Sequence, residues 1–275
     1  MLQKVKKGFA ILIILVLLPY IITIFIHGKK VETNTEDPRS LLLKRHCIGL
    51  LAKEVSTEYE DEMLKVQALL VRTTVYKEIE EKGEAIFDEE GFGDVSHIDK
   101  SWYKKLEKIW DETEGEVIIY KEKLALVPFH KVSNGKTRVG QEVLGTEDYP
   151  YLTMKECTAD VEAPEQMESV FIDLRESAEV IYDSAGYVLS VKIGDKEIAG
   201  ETFRNTYQLK SSCFELQQFQ EKTRVITKGV GHGVGLSQYT ANQMAKKRNT
   251  YKEILQYFFE GTEIKEVAEI LWNIE

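Results

Sequence analysis

From Gly229 to Gly235 every second residue is glycine, and the run continues into Leu236-Ser237-Gln238-Tyr239. Such alternation makes a poor strand, because glycine offers no side chain to pack. It lets the backbone approach a ligand or another chain segment more closely than a Cβ would allow. The fold must therefore bring something against this run. A phosphate-binding loop is one candidate. The run, however, is neither G-x-G-x-x-G nor a Walker A sequence, and no Gly-Lys-Ser/Thr follows. Ser237 is placed to cap a following helix. His232 stays open to three readings: a ligand, a catalytic group, or a packed and hydrogen-bonded histidine.

At the other end, residues 9–26 form an uncharged run of eighteen residues, interrupted only by Pro19, Tyr20 and Thr23 among aliphatic residues and Phe. That length crosses a hydrocarbon core as a helix. Lys4, Lys6 and Lys7 precede it and Lys29 and Lys30 follow, which favours a cytoplasmic N-terminus. No small-x-small cleavage site follows Ile26, so the run reads as a retained single-pass anchor rather than a signal peptide. Residues 31–275 are then extracytoplasmic. The 275 residues carry 36 Lys plus Arg against 46 Asp plus Glu, a net charge of −10. Setting the five N-terminal lysines aside leaves 31 bases against 46 acids, so residues 31–275 sum to −15. A surface this acidic disfavours nucleic acid as a partner. Cys47, Cys157 and Cys213 allow at most one internal disulfide and form no CxxC pair.

Residues 31–36 are a polar tether. Asp37-Pro38 reads as a helix start, with Leu41, Leu42, Ile48, Leu51, Ala52 and Val55 at helical spacing behind it. After an acidic break, a second helix carries Met63, Val66, Leu69, Leu70, Thr73 and Tyr76 on one face. Residues 82–116 form a charged, glycine-bearing subregion with a short helix at 101–110. Strands are predicted at 117–120, 124–129, 171–174, 179–182 and 187–193, with a last one opening at 225–227. Helices follow at 237–247 and 251–259. Helices, then strands, then strand and helices make an α+β fold of mixed helices and antiparallel strands, behind an N-terminal transmembrane helix.

Three segments carry candidate chemistry. Glu54 follows Cys47, Leu50 and Leu51 along the first helix, on its apolar side. A carboxyl that loses its water holds its proton more readily and can serve as a general acid. Helical glutamates are mostly solvated, and Arg72 on the next helix reads equally as a surface charge or an ion pair. His130-Lys131-Val132-Ser133-Asn134-Gly135-Lys136-Thr137 is a polar loop after an apolar strand, either a binding loop or a turn built on Asn134-Gly135. The glycine run with His232 is the third.

Gly231 to Tyr239, with Ala241-Asn242, Met244-Ala245, Tyr251, Ile254-Leu255, Tyr257-Phe258 and Gly261 to Ile264, resembles the C-terminal signature of the stage II sporulation protein D (SpoIID/LytB) family. Glu54 with Leu64-Lys65-x-Gln67-Ala68 and Arg72-Thr73 resembles its N-terminal block. His130, Ser133, Gly135-Lys136-Thr137 and Tyr149-Pro150-Tyr151-Leu152 resemble its middle, and Gly200-Glu201-x-Phe203-Arg204 and Leu209-x-Ser211-Ser212-x-Phe214 extend the likeness. The resemblance spans residues 40–265, leaving 1–30 as tip and anchor, 31–39 as tether and 266–275 as a tail.

The resemblance implies a peptidoglycan lytic transglycosylase of septal wall remodelling during sporulation engulfment. It acts on glycan strands stripped of stem peptides by a partner amidase, alongside other cell-wall proteins. It implies Glu54 as the catalytic group and no cofactor. Arg72, His130, Ser133, His232, Gln238 and Tyr239 are expected to bind the glycan. Glu54 would protonate the glycosidic oxygen between N-acetylmuramic acid and N-acetylglucosamine, then take the proton of the muramyl C6 hydroxyl as a 1,6-anhydro ring closes. No water nucleophile enters, so the second carboxylate of common glycoside hydrolases is not required.

The chain departs from the family pattern in places. Val55-Ser56 stands where proline is common, Thr240 replaces a glycine, and Cys213 stands where asparagine is common. The His-Ser-x-Ser-Gly-Gly loop appears as His130-Lys131-Val132-Ser133-Asn134-Gly135. Some members bind zinc near that loop; the next cysteine here is Cys157, and no zinc is expected. The altered loop leaves room for a catalytically weak glycan-binding member of a wall complex. A metal hydrolase using His130 and His232 is the third reading, without a ligand-spaced cluster to support it.

Overall fold

The structure, a computed structural model, describes residues 38–83 and 92–267. The expected anchor at residues 9–26 and the Asp37 cap lie outside the described residues. Among the described residues, no helix is long and apolar enough to cross a membrane.

The chain opens with helices α1 (Pro38–Glu54), α2 (Asp61–Lys82) and α3 (Lys100–Asp111). Cys47, Ile48 and Leu51 of α1 pack on Leu64, Ala68, Val71 and Val75 of α2 and on Leu106, Ile109 and Trp110 of α3. These spacings are the i, i+3, i+4 stripes of amphipathic helices. The opposite face of α2 is also buried, with Met63, Val66, Leu69 and Leu70 in a second core. The sequence showed that face; the second stripe was hidden because burial of both faces leaves an α-helix with little periodic contrast.

The rest of the chain begins with strands β1 (Glu116–Tyr120), β2 (Lys123–Leu124) and β3 (Phe129–His130), then helix α4 (Gly140–Leu144) and a 3-10 turn at Thr158–Glu162. Next come β4 (Met167–Ile172), β5 (Ala178–Tyr182), β6 (Val188–Ile193), β7 (Lys196–Ala199), α5 (Gly200–Thr206), β8 (Phe214–Phe219) and β9 (Lys222–Lys228). The chain ends in β10 (Leu236–Ser237), α6 (Gln238–Lys246), α7 (Tyr251–Phe258) and β11 (Glu263–Glu266). The fold is α+β.

Sheet orders are β11-β1-β2, β4-β9-β8 and β5-β6-β7, all antiparallel, plus a parallel β10-β3 pair. The strand expected to be the last is β9, and it is not last. β10 is too short to show a period, and β11 reads Glu-Ile-Lys-Glu, with one apolar residue. A third core joins the two outer sheets through Ile172, Val188, Val191, Phe203, Phe214 and Val225. The second core holds Ile118, Val127, Leu236, Ala241, Ile254, Leu255, Phe258 and Phe259 around α2. The three cysteines are all buried and free.

The glycine run meets another segment of the chain. A Cβ at Gly235 would lie 2.0 Å from the carbonyl oxygen of Pro128, and one at Gly233 2.4 Å from the ring of Tyr187. Gly235 also has φ +74°. The run thus lies backbone to backbone along residues 128–133, with Leu236 N donating to Pro128 O (3.0 Å) and Val230 N to Val132 O (2.7 Å). Gly235→Ala is expected to cost at least about 2 kcal/mol, from left-handed strain plus displacement of the Pro128 segment. Gly115→Ala is the control. Gly115 has φ +73° with nothing within 4 Å of the added Cβ, so it should cost only about 1–2 kcal/mol. Urea denaturation of both variants checks this.

Candidate functional site

Glu54 is the last residue of α1, and its side chain is exposed. The sequence set it on the apolar side; the helix ends there, and its carboxylate leaves the edge of the core instead of entering it. The carboxylate opens into a cleft of about 320 Å³, also lined by Lys53, Tyr59, Lys131, Glu165 and Tyr239.

Buried amides fix this corner. The main-chain carbonyl of Glu54 accepts a hydrogen bond from Gln238 Nε2 (3.0 Å), which also donates to Gln67 Oε1 (3.2 Å). At the far end of the loop, Glu60 N donates to Asn242 Oδ1 (2.9 Å). Helix α6 therefore holds both ends of the segment linking α1 to α2. Gln238 was expected to touch glycan. It is 1 % exposed and instead positions the residue that carries Glu54.

Three further expected contacts are also buried. Arg72 is 1 % exposed. Its Nη1 donates to the carbonyls of Thr113 (2.6 Å) and Glu116 (2.9 Å), and its Nη2 to that of Trp110 (3.1 Å). The guanidinium lies 3.8 Å from the Trp110 ring centroid. Arg72 is thus neither a surface charge nor a groove residue: it ties α2 to the α3–β1 turn. Ser133 is buried, with its N–H on Asp160 Oδ2 (2.6 Å) and its hydroxyl accepting from Gly135 N (3.1 Å). His130 is buried too, its Nδ1 on Val234 O (3.2 Å) and its Nε2 without a hydrogen-bond partner.

Buried His130 and half-buried His232 face each other edge-on, centroids 5.8 Å apart, and neither is among the residues lining the cleft. His232 Nδ1 accepts from Val234 N (3.1 Å), which leaves its proton on Nε2. This is the packed, hydrogen-bonded reading of His232. Burial, reinforced by His232, pushes His130 down to about 3, and burial lowers His232 as well. A histidine that is neutral when folded and protonates near 6.5 when unfolded favours unfolding in acid. Between about 6.5 and about 3 the unfolded chain binds the extra proton. His130 should therefore remove up to about 1.4 kcal/mol of stability per pH unit as pH falls. Unfolding free energies of the native protein and of His130→Asn across that window check this; the variant should show a shallower slope.

Asp160 was not singled out from the sequence. It is fully buried and receives Ser133 N, Ser237 Oγ (2.7 Å) and Thr240 Oγ1 (2.6 Å). It thereby joins the His130 loop to the start of α6. Thr240, standing where the family commonly has glycine, supplies one of these bonds. No local pattern around Asp160 announces such a role. Lys131, Tyr59 and Glu165 were also missed. Lys131 stands in extended chain between buried His130 and Val132 and so points outward, which becomes visible only once their burial is known. Tyr239 lines the cleft, and its N–H donates to Lys131 O (3.0 Å). Among the described residues, no three His, Cys, Asp or Glu side chains converge as metal ligands.

Residues 32–120, which contain Glu54 and all of α1 to α3, match the family described as SpoIID, Stage II sporulation protein. Stage II sporulation protein D of Bacillus subtilis is 29% identical over 272 residues, covering 87% of this chain and 79% of that protein. Over most of its length the chain is thus similar to stage II sporulation protein D. A second member, from Bacillus amyloliquefaciens, is 27% identical over the same shares of both chains. The amidase enhancer of Bacillus subtilis is 23% identical over 78% of this chain and 39% of its own length. In this chain the SpoIID-matched segment supplies Glu54, while the cleft's other wall, with Lys131, Glu165 and Tyr239, comes from beyond it.

Proposed function

We propose that this protein is a sporulation lytic transglycosylase, cleaving the bond from N-acetylmuramic acid to N-acetylglucosamine in peptide-stripped strands and leaving 1,6-anhydro ends. The observation that carries the reading is a solvent-facing glutamate at a helix end, its main-chain carbonyl held by Gln238, which Gln67 holds in turn, in a cleft flanked by Tyr59 and Tyr239. Tyrosine rings offer apolar faces for sugar rings and hydroxyls for their polar edges. Glu54 acts first as acid on the glycosidic oxygen and then as base on the muramyl C6 hydroxyl. Residues 9–26 would anchor the domain on the outer side of the membrane, beside an amidase that prepares the strands. The amidase enhancer among the relatives supports that association.

A second reading is hydrolysis. Glu165 lines the same cleft and could activate water as a second carboxylate. Incubating residues 31–275 with peptide-free strands and weighing the products separates the two. Anhydro-muramyl ends, retained in Glu165→Gln, fit the transglycosylase. Reducing ends that disappear in Glu165→Gln fit hydrolysis. Strand binding without any cleavage would leave the glycan-binding role alone.

A further inference from the structure

We propose that Lys131 pairs with the free lactyl carboxylate of peptide-stripped muramic acid, making the cleft selective for strands whose stem peptides are gone. This deepens the glycan-cleaving reading and rests on it for the identity of the ligand.

Lys131 is exposed and lines the same cleft as Glu54. Its main chain is rigidly held. Its carbonyl accepts from Tyr239 N, preceding His130 pairs with Ser237, and following Val132 pairs with Val230. His130 and Val132 are both buried, so the extended backbone turns Lys131 to the opposite side. Among the described residues, no carboxylate lies within ion-pair distance of its ammonium, whereas Lys65, Lys155 and Lys228 are all so engaged. Those three bonds measure 3.0, 2.7 and 3.0 Å.

The surrounding charge gives this cation a task. Residues 31–275 sum to −15, and Glu54 and Glu165 both face the cleft. An anionic strand would be repelled there without a local cation. Removing a stem peptide converts the neutral lactyl amide of a muramyl residue into a carboxylate. A lysine pairs with that carboxylate through a charge-assisted hydrogen bond and gains little from the amide. The muramyl residue undergoing ring closure must sit at Glu54, which brings its lactyl group into the cleft that holds Lys131.

The test uses the Glu54→Gln form of the full chain, so that ligands are not consumed. The probes are a muramyl tetrasaccharide with free lactyl carboxylates and the same compound capped as methylamides. Calorimetry should show the free acid binding about tenfold more tightly. The preference should fall below about twofold with Lys131→Ser added, and should persist with Lys131→Arg. Unchanged melting temperatures would show that the fold is intact. An undiminished preference in Lys131→Ser, the absence of any preference, or no measurable binding overturns the proposal. Cleavage by the native form is read separately. A native protein that binds selectively but never cleaves would refute the transglycosylase reading and leave the role of Lys131 standing.

Discussion

Glu54→Gln should lower the rate of strand cleavage about 10²–10⁴-fold, the usual contribution of a positioned proton donor and acceptor. It should do so with almost no change in stability. The fold uses the main-chain carbonyl of Glu54, held by Gln238, while the carboxylate faces water and makes none of the packing contacts. Glutamine preserves the shape and the main-chain bond and removes only the exchangeable proton. Mass spectrometry of products from peptide-free strands gives the rate, and a thermal melt gives the stability. Gln238→Ala makes a useful contrast. It leaves the carboxylate in place but frees the end of α1 and strands Gln67 Oε1, so rate and stability should fall together. Anhydro-muramyl ends that persist at the native rate in Glu54→Gln would end the proposed mechanism.

Much of the helical frame is legible in the sequence because its apolar spacings are local. Ile48, Leu51 and Val55 of the stripe expected on α1 are buried, while Leu41 near its start is exposed, and the expected face of α2 is buried through Met63, Val66, Leu69 and Leu70. The short pieces are not legible. β3 and β10 hold two residues each, and their pairing joins Phe129 to Leu236 and His130 to Ser237 across more than a hundred positions. Nothing periodic within either piece reveals that partner.

The site divides in the same way. Motif likeness marked Glu54 and Tyr239, which line the cleft, together with His130, Ser133, Gln238 and Arg72, which do not. Those four are polar residues in the interior, where each buried donor or acceptor needs a partner. A motif can mark residues that assemble a cleft as readily as residues that touch its contents. Only burial separates the two, and burial depends on which segments meet. Gln238 acts on the carboxylate indirectly, through the carbonyl of the residue that bears it. Lys131 escaped notice for the converse reason: it departs from the motif, and its exposure follows from the burial of both its neighbours.

Arg72→Met should destabilise the protein by about 3–5 kcal/mol, because three main-chain carbonyls lose their donors together. Methionine fills part of the space over Trp110 but leaves the carbonyls of Trp110, Thr113 and Glu116 without the guanidinium's donors. Each unsatisfied buried acceptor costs about 1–3 kcal/mol, reduced where water or a shift of the turn reaches it. Lysine should not rescue the loss. Its ammonium is a single point, while the three carbonyls are met by two nitrogens of a planar fork stacked on an indole. A drop in melting temperature of roughly 10 °C is expected, since 1 kcal/mol corresponds to about 2–4 °C in a domain of this size. Below that temperature the Glu54 cleft should work normally, with KM for peptide-free strands unchanged, because Arg72 does not line it. A variant that keeps the native melting temperature but loses strand affinity would return Arg72 to the glycan groove and refute the structural role assigned to it.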